Sequence, residues 1–173
     1  MANTAMLRYK VEPVIRERLA VEFGRPFVSR ILTLPGGAQR EFDAVSADGT
    51  VVVSIKTSSG LTSGGNLPGG KINSCIADLY YLGLIDAAVR RLVLTNPAFY
   101  DIFMTRMRGA VAPGIEVVLS PLDAELQAEV DLVIAAASKE MGAVATEAIA
   151  VAAEDEAESL ETYPGDGKPA QER

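Results

Sequence analysis

The sequence contains no histidine and a single cysteine, Cys75, among its 173 residues. Without histidine, zinc sites and hydrolytic triads or general bases built on imidazole are excluded. One cysteine excludes an internal disulfide and every cysteine-rich metal motif. No run of 18 or more apolar residues occurs, and the opening stretch MANTAMLRYKVEP has no secretory hydrophobic region. The expectation is a cytoplasmic protein without a membrane partner. Any chemistry must therefore use carboxylates, lysines and hydroxyls.

What is present is ordinary in bulk and uneven in distribution. With 49% hydrophobic and 23% charged residues, the chain can bury one sizeable core. The formal charge of −7 argues against a nucleic-acid partner when taken as a mean. Residues 1–120, however, hold 13 Lys+Arg and 10 Asp+Glu, a net +3, whereas residues 121–173 hold 3 and 13, a net −10. The acidity belongs to the C-terminal third. Three regions are expected: a domain over 1–120, an alanine-rich acidic helical extension over 121–153, and a disordered acidic tail over 154–173.

Apolar spacing and turn residues give the order of elements. Glu12-Pro13 opens a helix in which Val11, Ile15, Leu19 and Phe23 recur at helical spacing, and Gly24-Arg25-Pro26 closes it. Strands are predicted over 27–33, 40–46 and 51–57, separated by Pro35-Gly36-Gly37 and by a two-residue turn at Asp48-Gly49. A Gly/Ser-rich loop over 58–70 is too long for a plain turn. A helix over 71–88, a strand over 90–95, a helix over 97–108 and a strand over 114–119 complete an α-β-β-β-α-β-α-β order, an α/β fold. In the extension, Leu122, Leu126, Val130, Leu132, Val133 and Ile134 are available to dock on the domain.

The chemistry concentrates in the second hairpin. With a two-residue turn at Asp48-Gly49, Asp43 stands opposite Ser54 and Glu41 opposite Lys56. All four side chains then share one sheet face, while Val51, Val53 and Ile55 fill the other. An ordinary charged cluster on a solvated sheet would read the same way.

Together, the order α-β-β-β-α-β over residues 11–95, Asp43 on the second strand and Ser54-Ile55-Lys56 on the third resemble the PD-(D/E)XK nuclease superfamily, whose core is restriction-endonuclease-like, with a mixed central sheet flanked by helices. Two positions depart from the family pattern: Ser54 stands where Asp or Glu is usual, and Phe42 precedes Asp43 in place of Pro. The resemblance implies a metal-dependent nuclease acting on DNA with Mg²⁺ or Mn²⁺. It implies Asp43 as metal anchor, the Ile55 carbonyl as a neutral ligand, Lys56 as the cation assisting attack on phosphate, and Ser54 as the remaining member of the motif. Glu12, on the packed face of the first helix, matches a metal-linked Glu of many relatives; Glu41 and Asp78 are the other sources of a second carboxylate. Some relatives with Ser-x-Lys take that acid from the following helix. The alternative implied by Ser54 is an inactive nuclease-like domain that binds nucleic acid or protein within a larger complex.

Further candidates are single residues. Lys71, after Gly69-Gly70 at a helix start, and Arg90 and Arg91 are candidate phosphate contacts. Arg106 and Arg108 are further candidate phosphate contacts, with solvated surface as the default reading; Tyr80-Tyr81 are candidates for stacking on a base but are more often core in an apolar helix, and Cys75 reads as packed core. The extension offers a homodimer or protein-partner surface.

Overall fold

The computed structural model describes residues 7–58, 60–61 and 67–137. A π-type turn over Leu7–Val11 leads into α1 (Glu12–Phe23), followed by β1 (Phe27–Thr33), β2 (Gln39–Ser46), β3 (Val51–Lys56), α2 (Gly69–Leu84), β4 (Val89–Leu94), α3 (Pro97–Arg106) and β5 (Ile115–Leu119). Residues 124–137 are again helical. The five strands lie in sequence order in one mixed sheet: β1, β2 and β3 are antiparallel, while β3, β4 and β5 are parallel. This is the predicted α/β order.

Local chemistry sets most element ends. Pro13 lies in the first turn of α1, where its missing N–H leaves no hydrogen bond unmade, and Gly24 closes the helix in the left-handed region at φ +64°. Asn96 caps α3 by accepting the Phe99 N–H at 2.9 Å, with Pro97 next in line. Helix α2 ends at Leu84, four residues before the predicted Ala88. The cause is Ile85, which turns to an extended conformation and buries its side chain in the core, leaving 86–88 as the link to β4.

Helices cover both faces of the sheet. On one face Phe42, Val45, Val52, Leu92 and Leu94 pack against Ile72, Cys75, Leu79 and Leu82 of α2 and Phe99 and Phe103 of α3. On the other, Ala44, Val51, Val53, Ile55 and Val93 pack against Ile15 and Leu19 of α1 and against Val130. Val51, Val53 and Ile55 thus fill the face expected of them. Ser54 is buried too, so its face is roofed by α2 and not solvated.

The β2–β3 hairpin keeps the expected register, Ala44 opposite Val53 and Val45 opposite Val52. Its turn differs: the Gly49 N–H donates to the Ser46 carbonyl at 2.9 Å, so residues 47–50 form the connection, with Gly49 at φ +73°. Asp48 organises it, accepting from Ser46 Oγ at 2.7 Å and Thr50 Oγ1 at 2.9 Å. Those hydrogen bonds, Ser46 first, hold its carboxyl down at about 2.

A second departure has larger effects. Val28 pairs with Val45 but Arg30 with Phe42, so Asp43 and Ala44 together oppose Ser29. This β-bulge reverses the parity of β2 upstream of it. Phe42 joins the α2 face, Arg40 projects beside it, and Glu41 goes to the α1 side. The expected pairing of Glu41 with Lys56 on one face with Asp43 and Ser54 is therefore not formed.

The segment after Pro121 joins the fold. Leu122, Leu126 and Ile134 pack around the buried Val130, and Lys10 Nζ meets Glu129 Oε2 at 2.5 Å. Leu132, expected to dock, is 73% exposed because it lies on the opposite side of the helix. The remainder of the expected extension and the tail, residues 138–173, lie outside the described residues. Among the described residues no helix is long and apolar enough to cross a membrane. If 124–137 belongs to the cooperative core, Val130→Ala should lower the unfolding free energy by about 2 kcal/mol in denaturant titration. Leu132→Ala should stay within roughly 0.5 kcal/mol of the parent.

Candidate functional site

The site lies where β2 and β3 part, at the C-terminal end of β3. At the bulge, Asp43 turns its carboxylate into the gap, and Oδ2 accepts the Ile55 N–H at 2.7 Å in place of a main-chain partner. Among the described residues Oδ1 accepts no hydrogen bond. A strand residue directs its N–H and C=O toward the same neighbouring strand, so the Ile55 carbonyl faces the same gap. The Asp43 main-chain carbonyl accepts from Arg16 Nε at 2.7 Å, which ties the bulge to α1.

Arg16 also forms an i,i+4 ion pair with Glu12, and both side chains are mostly buried. Glu12 therefore stands beside the bulge, on the packed helix face where the wheel places it. Burial, then the charge of Asp43, raises its carboxyl above the ordinary value, against the pull of Arg16 and Arg8. Asp43 is raised as well. Burial is the main cause, with Asp78 adding, opposed by the Ile55 N–H, Lys56 and Arg16.

A second group forms across the sheet face under α2. The Lys56 ammonium meets Asp78 Oδ2 at 2.7 Å, and Arg40 Nη2 meets Asp78 Oδ1 at 2.6 Å. The Asp78 side chain is only 4% exposed, against 26% for Lys56 and 33% for Arg40. The Arg40 guanidinium lies 3.9 Å above the centre of the Tyr81 ring. Ser54, one alternation below Lys56, is buried under α2 and brings no charge.

Other predicted residues divide by position. Glu41 leaves the site for Arg8 and for Ser29 Oγ, which donates to it at 2.6 Å; that hydrogen bond, then Arg8, lowers its carboxyl. Lys71 stands at the start of α2, which must run back along the sheet to reach β4, so its N-terminus lies at the Lys56 end. Burial lowers the Lys71 ammonium. Lys71 and Asp78 share a helix face, about 10 Å apart along the axis.

Arg90 and Arg91 lie at the far end of the sheet. Leu94, not Arg90, pairs with Lys56, so Arg90 is roughly 13 Å back along β4. Its guanidinium rests against Gly114, where an added Cβ would come within 2.5 Å of Nη2. Arg91 is buried and is engaged by Glu22 at 2.9 Å and Glu116 at 2.8 Å. Residue 59 and residues 62–66 of the expected functional loop lie outside the described residues. Its Gly60 approaches α3 closely enough that a Cβ there would sit 3.1 Å from Ala98 Cβ.

Sequence reasoning missed Arg16 and Arg40. Arg16 carries a readable signal, its i,i+4 spacing from Glu12. Arg40 was hidden by the bulge, whose only trace is that Phe42, Ala44 and Val45 break strict alternation.

The cluster brings together the carboxylates of Glu12, Asp43 and Asp78 with the cations of Arg16, Lys56 and Arg40. Among the described residues no group of three or more Asp, Glu, Cys or His side chains is placed to hold a metal. The oxygens that could hold Mg²⁺, with waters and substrate oxygens completing its shell, are those of Asp43, Glu12 and the Ile55 carbonyl.

Raised carboxyls mean that the folded state holds protons more tightly than the unfolded one. Relative to higher pH, the stability linked to Glu12 and Asp43 should thus be fully present below their ordinary values of 4.5 and 3.8 and be lost as pH rises through their raised folded values. Asp43→Asn retains an acceptor for the Ile55 N–H and removes the charge. At pH 7 it should raise the thermal midpoint by roughly 2–4 °C, the shift that about 1 kcal/mol gives in a chain of this size, and flatten the decline with pH. A midpoint lowered by as much would show that the charge stabilises the bulge.

Comparison with protein-family models, with curated proteins and with solved structures finds no match to the chain.

Proposed function

We propose that the chain is a metal-dependent nuclease of the PD-(D/E)XK type, with a restriction-endonuclease-like core, that hydrolyses phosphodiester bonds of DNA. The observation that carries this reading is the convergence of Asp43, Glu12 and Lys56, from a strand bulge, a helix start and the end of the neighbouring strand, at the gap between β2 and β3. Bulges commonly redirect side chains beside active sites. Two carboxylates raised by burial, Glu12 further by the charge of Asp43 and Asp43 by that of Asp78, are costly to keep and gain their charge balance from a divalent cation.

Asp43 and Glu12 would hold Mg²⁺ or Mn²⁺, with the Ile55 carbonyl as a neutral ligand. Such a cation supplies Lewis-acid stabilisation and a bound water of lowered pKa. The protein's own contribution is orientation and charge. Arg16 fixes the bulge that aims Asp43, and the Lys56 ammonium is positioned to stabilise negative charge developing on phosphate. Asp78 stands in the place left empty of charge by Ser54: it lies on the following helix, over the same sheet face, and holds Lys56. The net charge of +3 over residues 1–120 suits a polyanionic substrate.

A second reading rests on a specific observation, the pairing of Glu12 with Arg16 and of Asp78 with Lys56 and Arg40, with the charges of Lys56 and Arg16 also acting on Asp43. In that reading the cluster is a balanced remnant, and the domain binds nucleic acid or protein without cleaving. Incubation of plasmid and linear DNA with Mg²⁺ or Mn²⁺ separates the two. The nuclease reading expects cleavage that Lys56→Ala reduces by about 10²-fold or more without loss of fold. Absence of cleavage by the parent protein, together with no heat on Mn²⁺ titration, would leave the binding module as the function.

A further inference from the structure

We propose that Arg40 is a substrate-phosphate ligand of this site: its guanidinium and the Lys56 ammonium together take the oxygens of a nucleic-acid backbone phosphate, and Asp78 is the anion that keeps the two cations side by side. This inference rests on the nuclease reading and adds to it a specificity residue outside the motif.

Two cations from adjacent strands each engage a different oxygen of the same carboxylate, at 2.6 Å and 2.7 Å. Like charges do not approach so closely unless an anion lies between them. The anion is buried while both cations retain exposed surface, so the face they offer outward is positive. Asp78 with Arg40 and Lys56 carries a net +1, and it is the outer side that an approaching phosphate meets.

The setting of Arg40 suits a planar fork. Tyr81 covers one face of the guanidinium and limits its rotation. Only Nη2 is engaged by Asp78, and Nη1 donates to no described residue, so the guanidinium keeps a donor for a ligand. The bulge places Arg40 here, since an unbulged β2 would send it to the α1 side.

The chemistry recognised is a phosphodiester in a charged backbone. In contrast to Arg91, held between Glu22 and Glu116, Arg40 shares its one carboxylate with a second cation. It also lies at the sheet end that carries Lys56 and the N-terminus of α2.

The test measures binding of a short DNA duplex by fluorescence anisotropy in EDTA, across about 50–200 mM salt, with the full chain. Arg40→Gln should weaken binding about tenfold and reduce the slope of log K against log salt by about 1. Arg40→Lys keeps the charge and should retain the slope while binding less tightly. Arg25→Gln, paired with Asp48 at the opposite end of the sheet, should change neither. In Mg²⁺-dependent cleavage, Arg40→Gln should raise KM about tenfold and leave kcat nearly unchanged. Should Arg40→Gln fail to fold, the comparison of Arg40→Lys with the parent decides, through weaker binding at an unchanged slope. Parent-like affinity and slope in both Arg40 variants would overturn the inference, as would a loss confined to kcat. If the parent then still cleaves DNA, the nuclease reading survives; if the parent neither binds nor cleaves, both fall.

Discussion

One irregularity governs the site: two residues of β2, Asp43 and Ala44, occupy the space opposite the single Ser29 of β1. A sheet face is decided by parity, so an extra residue exchanges the faces of everything upstream. Phe42 can enter the α2 core, Glu41 is released to Arg8 and Ser29, and Arg40 reaches Asp78. The gap opened between β2 and β3 is what allows the Asp43 carboxylate to replace a ladder acceptor for the Ile55 N–H. Arg16 makes the bulge persistent, because its Nε binds the Asp43 carbonyl while its Nη2 is anchored by Glu12. Removal of the bulge would dissolve the cluster while leaving most of the core contacts in place.

The electrostatics follow from this geometry. Three carboxylates near a helix-covered sheet would not remain charged in isolation, since each loses hydration without compensation. Here the compensation is unequal. Asp78, the most deeply buried, has two cations; Glu12 has Arg16; Asp43, raised by burial, relies on one amide and on more distant positive charge. The least compensated carboxylate is also the one of the three without an ion pair among the described residues. An energetic deficit at one residue, within otherwise well-paired surroundings, is the arrangement expected where a ligand supplies the missing charge.

Much of the fold was legible because local physics determines it. Helical spacing of Ile15 and Leu19, the left-handed Gly24, the Asn96 cap and the valine run of β3 each act within a few residues, and the element order follows from them. The register at Ala44 and Val53 was legible too, although the turn that enforces it runs over 47–50 and is organised by Asp48. Glu12 could be found from a helical wheel. Arg40 and its contact with Asp78 could not, because they depend on an inserted residue and on a contact 38 residues apart in the chain. Alternation locates a face only while the count along the strand is regular.

The position of the cluster within the sheet has its own logic. β3 is antiparallel to β2 and parallel to β4, so it joins the hairpin half of the sheet to the crossover half. At its C-terminal end the hairpin strands can separate, since no turn closes them there, and the chain must leave the sheet to begin α2. Loop, helix N-terminus and strand end therefore meet at one edge, with Lys71 and Asp78 on one face of α2 and Lys56 below. The opposite end is closed: the 47–50 turn is filled by Asp48, and Arg91 is held by Glu22 and Glu116. Arg91 at the closed end is neutralised in place by two carboxylates, whereas at the open end Arg40 and Lys56 share one carboxylate between them. An anionic ligand drawn to the domain thus meets two cations that share a single carboxylate at the end where the hairpin strands part.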